Sequence, residues 1–328
     1  MTQSDISPTV LLTGPTSGIG AAILARLVRH PSRPRLVLVG RDAGRLRASA
    51  GVARGEGLRV DEVQLDLTDL RSVQSGLERI ASLVGSGALP TIDVAILNAG
   101  AQYYDRRRTS AQGWEATFAV NVVAQHLLVR GIRPLLSQAG HVVLLGSSTH
   151  RGKRASFNLV PDPQWAPPAV LATAQPPATG AVRPAAEREQ GGIAYASSKL
   201  ALVTLSHVWA ARLADDGRRL NTYDPGLVAG TGLGRDMVGY RYWVWRRLMP
   251  AMSVLPGATT PSNTARHAVA LALGDAHPAL HDGYVEIGRL TRAEDVTFDA
   301  QRQAQLWEWL EAATAAYVPH PQEGRAAA

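Results

Sequence analysis

Residues 8–29, PTVLLTGPTSGIGAAILARLVR, decide how this chain folds: an apolar run, a glycine-rich turn and a helical run follow one another without a break. Pro8 to Thr13 is short and apolar enough to be a buried strand, and Ala21 to Arg29 carries its apolar residues at helical spacing. A strand that enters a helix through glycines makes an anion site, because glycine lets backbone N–H groups approach a phosphate and the helix N-terminus favours negative charge. Gly14, Thr16, Ser17, Gly18, Ile19 and Gly20 are therefore candidate dinucleotide-binding residues, in a TGxxxGxG spacing rather than GxGxxG. Taken alone, such a turn is as readily a plain structural one.

Downstream, strands and helices keep alternating. Arg35 to Val39 reads as a second strand, ending in Gly40-Arg41-Asp42. An acidic residue at this place grips a ribose 2′-OH, whereas an arginine accommodates a 2′-phosphate. Gly40 stands where the acid would be and Arg41 follows, which points to NADP(H) over NAD(H). Asp42 is the counter-argument, although it also reads as the N-cap of a helix over Ala43 to Ala53. A third strand, Leu58 to Leu65, places Asp66 and Leu67 at its carboxyl end, where ligands bind in such sheets. Asp69 caps a helix reaching Val84. A fourth strand, Thr91 to Leu97, leads into Asn98-Ala99-Gly100, and Trp114 to Arg133 has helical periodicity with Asn121 in its middle. A fifth strand, Gly140 to Gly146, ends at Ser147-Ser148-Thr149-His150.

Residues 151–192 are rich in Pro, Ala and Gly and read as an irregular insertion near the substrate side of the site. A helix over Ala194 to Ala214 follows, then a strand over Arg219 to Tyr223 and a loop holding Asp224, Pro225, Gly226, Val228 and Thr231. Residues 231–262 form a candidate substrate lid. Within it Tyr240, Tyr242, Trp243, Trp245, Arg246 and Arg247 lie close together. They suit a surface helix packed on the core, an aromatic lid over a large apolar substrate, or a peripheral membrane contact. A helix over Ser262 to Leu273, a strand over Gly283 to Ile287, and a C-terminal helix and tail over 296–328 complete the chain. This alternation predicts an α/β fold: one Rossmann-like, doubly wound parallel sheet with helices on both faces, a single domain over 1–328.

Tyr195 and Lys199 are four residues apart on the predicted helix, so their side chains lie one above the other on one face. A free phenol titrates near pH ~10, and a lysine ammonium or a nicotinamide cation held close would favour its ionised form. The pair makes a tunable proton donor and acceptor. Lys153 and Lys199 are the only lysines among 34 basic residues.

The chain has 328 residues, 45% of them hydrophobic, and no cysteine, which excludes disulfides and thiolate metal sites and fits a reducing cytoplasm. The opening MTQSDISPTVLLTG shows no secretory signal, and no run of about 18 apolar residues predicts a membrane span. The net charge of +7 is spread over scattered arginines, so no nucleic-acid partner is expected. The nine histidines are dispersed, and Pro278 separates His277 from His281, so no metal site is expected.

Thr13-Gly14…Gly18-Ile19-Gly20, Asp66, Asn98-Ala99-Gly100, Asn121, Ser147, Tyr195…Lys199 and Pro225-Gly226, in that order, resemble the short-chain dehydrogenase/reductase superfamily. The resemblance implies Tyr195 as general acid/base, with Lys199 holding the nicotinamide ribose and lowering the tyrosine's pKa. It implies Ser147 hydrogen-bonded to the reacting oxygen and Asn121 holding a water that relays protons to Lys199. It also implies a small-molecule substrate and a homo-oligomer. Ser147…His150 is similar to retinol-dehydrogenase-like members, which act on bulky apolar alcohols, aldehydes or ketones. The long gap from Ser147 to Tyr195 and Pro225-Gly226…Thr231-Gly232-Leu233 resemble protochlorophyllide reductases, which reduce a conjugated C=C bond. Those usually carry Cys and Asn where this chain has Ala201 and Leu202. The alternatives are thus carbonyl reduction, C=C reduction, and a non-catalytic NADP-binding regulatory protein. Asp224 departs from the more usual His, Asn or Tyr before Pro-Gly.

Overall fold

Alternation along the strands sorts side chains into two layers. In β1 (Thr9–Thr13) and β2 (Arg35–Gly40), Val10, Leu12, Leu36 and Leu38 join one apolar cluster, while Leu11, Val37 and Val39 join another. β4 (Ile92–Leu97) and β5 (Leu136–Leu145) alternate likewise: Val94, Ile96, Val143 and Leu145 on one side, Ala95, Leu97, Val142 and Leu144 on the other. Strands apolar on both faces must be covered on both, which is the mark of a parallel sheet. The helices Gly18–Val28, Ala43–Gly55 and Pro261–Leu273 cover the first side, through Ile23, Leu27, Ala50 and Ala268 among others. The helices Leu70–Gly85, Ala124–Ile132 and Pro184–Ala214 cover the second, through Val73, Leu77, Leu127, Leu205 and Trp209.

The structure, a computed structural model, describes residues 7–175, 184–228 and 258–319. With β3 (Val60–Gln64), β6 (Arg219–Asp224), β9 (Tyr284–Glu286) and β10 (Arg289–Thr291), the main sheet runs β10-β9-β6-β5-β4-β1-β2-β3. All its pairs are parallel except β9 with β10, an antiparallel edge that the sequence reading did not anticipate. The short strands β7 (Leu227–Val228) and β8 (Ala258–Thr259) pair separately. β1 pairs β2 on one side and β4 on the other, so the chain reverses its winding direction at β1 and opens a crevice at the carboxyl ends. Among the described residues no helix is long and apolar enough to cross a membrane.

Two helical expectations need correction. The run read as one helix over Trp114 to Arg133 is a single turn, Ala116–Phe118, then a wide turn over Ala119–Val123, then the helix Ala124–Ile132. The Glu115 carboxylate starts it, accepting from Thr117 N–H (3.0 Å) and Phe118 N–H (2.7 Å). The segment 151–192 is not irregular throughout. It carries the last residue of one short helical turn, Ser148–Arg151, a second such turn, Lys153–Ser156, and the helix Pro168–Leu171, and the helix bearing Tyr195 begins at Pro184 rather than Ala194. Residues 229–257, which contain Thr231 and the aromatic cluster of the expected lid, lie outside the described residues.

His141, on β5, is 1% exposed. Its Nδ1 faces the Ala272 carbonyl at 3.1 Å and its Nε2 the Asn221 amide nitrogen at 2.9 Å. A carbonyl only accepts and an amide –NH₂ only donates, so the ring is neutral with its proton on Nδ1. Burial, helped by Arg219, pushes its pKa from 6.5 down to about 4. The folded state therefore resists a proton that the unfolded chain accepts. This stabilisation is complete above pH 6.5 and fades as pH falls to about 4, by roughly 3 kcal/mol in all. His141→Gln keeps a donor and an acceptor in place. Urea unfolding from pH 7 to pH 4 should then show a pH dependence shallower by about one proton; an unchanged slope would mean that His141 is already charged in the fold.

Candidate active site at the carboxyl ends of the strands

The turn between β1 and the first helix is built by close backbone approach. Gly14 and Gly18 sit at φ +68° and +56°, where a side chain strains the backbone. At Gly20 a Cβ would fall 1.9 Å from the Gly14 carbonyl oxygen. The Asn98 amide, at the end of β4, donates to Thr13 O (2.9 Å) and Gly14 O (3.2 Å). Thr13 Oγ1 in turn accepts from Ala99 N–H at 2.9 Å. These contacts aim the start of the helix Gly18–Val28 into a groove of about 550 Å³. Gly14, Thr16, Ser17, Gly18, Ile19, Gly20, Arg41, Asp66, Leu67, Asn98, Ala99, Gly100, Tyr195, Lys199 and Pro225 all line it. Asn121, Ser147, Gly226 and Val228 are not among its lining residues. A helix N-terminus, glycines with bare backbone and a long groove suit a dinucleotide.

At the β2 end of the groove, Asp42 is engaged as an N-cap, accepting from Arg45 N–H at 2.9 Å. Arg41 Nε lies 3.9 Å from Asp66 Oδ2, and the Arg41 side chain is 64% exposed. Asp66 Oδ1 accepts from Thr68 N–H (2.9 Å) and Thr68 Oγ1 (2.8 Å), which fixes the turn after β3. Arg45 also lines the groove and donates to Thr16 O at 3.2 Å, joining the helix Ala43–Gly55 to the glycine turn. Sequence reasoning passed over Arg45. The signal was there: three residues after an N-cap aspartate, a side chain in the first helical turn points back toward the strand end.

Tyr195 and Lys199 meet in the groove, with Lys199 Nζ 5.9 Å from the Tyr195 ring centroid. Nζ donates to Leu145 O at 2.8 Å and the side chain is buried. A Cβ on Gly100 would lie 3.0 Å from Asn121 Oδ1 and 3.8 Å from Lys199 Nζ, so this glycine keeps the approach to the lysine open. In the wide turn, Ala124 N–H reaches back to Ala119 O, and the carbonyl of Val120 is taken up by Gln125 Nε2 at 3.3 Å. Such turns gather at functional sites. Asn121 sits within it; its Oδ1 accepts from Ala101 N–H (2.8 Å) and its Nδ2 donates to Ala101 O (2.8 Å) and Ser198 Oγ (3.0 Å). Its side chain thus clamps the loop after β4 against the helix bearing Tyr195.

The electrostatics differ from the expectation that Lys199 acidifies Tyr195. Burial pushes the phenol up to about 12; the hydrogen bond with Ser147 pulls it down, and the charge of Asp224 pushes it up. Burial likewise brings Lys199 down to about 8, with Asp224 opposing. In this state desolvation dominates, and the phenol holds its proton. Sequence reasoning singled out Asp224 but left its consequence open; it is fully buried at the end of β6, and no local pattern reveals its partners.

The family model for short chain dehydrogenase matches residues 8–159. A "putative daunorubicin C-13 ketoreductase" of Streptomyces sp. (strain C5) is 34% identical over 303 residues, covering 92% of this chain and 90% of that protein. Retinol dehydrogenase 14 of Mus musculus is 28% identical over 244 residues, covering 70% of this chain and 63% of that protein. Among solved structures, a short chain dehydrogenase from Burkholderia cenocepacia J2315 in complex with NADP superposes with a TM-score of 0.60 at 21% identity, over 87% of this chain and 98% of that one. At that identity the likeness is one of fold. Together with the sheet order and the ordered motifs, these matches show that the chain belongs to the short-chain dehydrogenase/reductase superfamily of oxidoreductases.

Proposed function

We propose that the protein is an NADPH-dependent reductase acting on the carbonyl group of a bulky apolar substrate, with Tyr195 as the proton donor. The observation that carries this reading is the meeting of a protonated phenol, a buried lysine and the Ser147 hydroxyl at one end of a groove whose other end is a glycine-built anion cradle. The name of the Streptomyces relative supports a ketone as substrate, and that of the murine one supports an apolar alcohol or aldehyde pair. NADPH, when bound, supplies the hydride.

The chain's own residues do the rest. The turn Gly14–Gly20 receives the pyrophosphate at the helix N-terminus. Arg41 and Arg45 flank the place of a 2′-phosphate, while Asp42, engaged in its cap, does not oppose it. Lys199 and the Asn98–Gly100 turn hold the nicotinamide ribose. Ser147 orients the substrate oxygen, and Tyr195 gives it a proton as negative charge develops there.

Tyr195→Phe removes only the hydroxyl. Turnover of a ketone should fall by roughly 10²–10⁴ while NADPH affinity, followed by fluorescence titration, stays the same; near-normal turnover would sink the proton-donor role. Product analysis separates an alcohol from a saturated ketone and so tests carbonyl against C=C reduction, and no NADPH turnover with any carbonyl or enone would favour a regulatory NADP-binding protein.

Cofactor choice is tested separately. A charge-assisted phosphate contact is worth roughly 1.5–3 kcal/mol, about tenfold or more in affinity. Arg41→Ala and Arg45→Ala should each raise the KM for NADPH by about that factor and leave the KM for NADH nearly unchanged. A native preference for NADH would refute the assignment.

A further inference from the structure

Behind the site, a chain of buried polar groups ends on a carboxylate. Asp224 is 0% exposed, Tyr284 3% and His150 1%. Asp224 Oδ2 accepts the Tyr284 hydroxyl at 2.6 Å and Oδ1 accepts Gly226 N–H at 2.8 Å. The Tyr284 oxygen lies 3.3 Å from His150 Nδ1, which is 2.7 Å from the Ser147 carbonyl. Because that carbonyl only accepts, Nδ1 carries the proton; His150 Nε2 then accepts from Glu294 N–H at 3.4 Å. The two donors therefore point apart, His150 Nδ1–H toward Ser147 O and the Tyr284 hydroxyl toward Asp224. The result joins the end of β5 to the end of β6, with a negative charge at one terminus.

The surrounding charges decide what that carboxylate faces. Among the described residues, Tyr284 and Glu286 of β9, Tyr223 of its own strand, Arg151 of the segment after β5, and Tyr195 and Lys199 of the helix Pro184–Ala214 interact with it electrostatically, and His150 reaches it through Tyr284. Lys199 Nζ is held by Leu145 O at 2.8 Å, and Leu145 is the strand partner of Tyr223, the residue next to Asp224. Arg151 is engaged with Glu286 at 2.5 Å, and these two act on Asp224 with opposite signs. Tyr223 gives its hydroxyl to Thr264 O at 3.0 Å. Lys199 is the remaining cation of this set.

Resting on the function proposed above, we propose that Asp224 is a positioning residue: the fixed buried negative charge behind the Tyr195–Lys199 pair, which sets the pH range over which that pair serves carbonyl reduction. Its carboxylate makes both deprotonations harder: a phenolate at Tyr195 would be a second negative charge near it, and a neutral amine at Lys199 would lose its attraction to it. Burial pushes Asp224 itself up to about 6, with the Tyr284 and Gly226 hydrogen bonds opposing, so the negative charge is present at neutral pH. An asparagine of the same shape would preserve the stitch from β6 to β9 and remove only the charge.

The paucity of lysine makes this directly measurable. With lysine labelled at ¹³Cε, the chain gives two side-chain signals, and Lys153→Arg leaves that of Lys199 alone. In the full-length, substrate-free protein Lys199 should titrate near pH 8. Asp224→Asn should lower its midpoint by about one unit. Tyr284→Phe, which weakens the hold on the carboxylate, should lower it by less. With NADPH and 2-acetylnaphthalene, the alkaline limb of ketone reduction should move to lower pH in Asp224→Asn by a similar amount. A merely structural role would cost stability without moving either profile. An unmoved Lys199 midpoint in both folded variants overturns the proposal, and if Asp224→Asn does not fold, Tyr284→Phe decides alone. The titration needs no turnover, so a wild-type protein unable to reduce any ketone would overturn the proposed function while the NMR midpoint still decides the place of the charge.

Discussion

Gly20 packs so tightly on the Gly14 carbonyl that no side chain fits between them, and the Asn98 amide grips the same carbonyl and that of Thr13. This contact binds three pieces of chain: the end of β1, the start of the first helix and the end of β4. The helix N-terminus can face the groove only because the turn folds back this closely. From Asn98 the constraint passes along the loop after β4, where Ala101 is held on both its N–H and C=O by Asn121. Asn121 holds Ser198, one residue before Lys199. The anion cradle and the lysine are thus set by one continuous run of hydrogen bonds, and a shift at Gly14 would be felt at the far end of the groove.

The second theme is the cost of charge in a buried place. Tyr195 and Lys199 of the helix Pro184–Ala214 and Asp224 of β6 lie in surroundings that disfavour the ionised form of each. Each buried polar atom of that chain is met by a partner, as an interior requires. Tyr284 gives its hydroxyl to Asp224, and Lys199 gives Nζ to the Leu145 carbonyl. Desolvation alone would drive the lysine toward its neutral form, and a nearby negative charge works against that. The phenol stays protonated for the same two reasons acting together. A proton donor needs its proton, so the direction of these shifts matters more than their size.

Much of this was legible in the amino-acid sequence because it is written locally. The apolar runs, the glycine turn and the capping aspartates Asp42 and Asp69 are short-range patterns, and the N-caps are found where they were read. The order of the motifs carried the fold, since a parallel sheet wound from one strand–helix unit after another leaves its strand ends, and the residues on them, on one edge. What local patterns hide is packing. Gly191 and Gly192 argue against a helix by propensity, yet both lie inside one: a Cβ at Gly191 would meet Tyr104 Cα at 2.4 Å, and one at Gly192 would meet Pro161 Cδ at 2.5 Å. Close approach to the neighbouring loop, not intrinsic preference, places glycine there. The wide turn at Asn121 is likewise invisible in its periodicity, because its reason is a loop some twenty residues earlier in the chain.

The sequence by itself therefore determined the alternation of strands and helices, the glycine turn after β1 and the i, i+4 spacing of Tyr195 and Lys199, all of which depend on residues a few positions apart. Only the tertiary structure decided the electrical state of that pair. Asp224 ends β6, Tyr284 lies on β9, and Ser147 and His150 follow β5, with up to 134 positions between hydrogen-bonded neighbours. Charge acts through space across a desolvated interior, and the distances that set its strength exist only once the strands are paired.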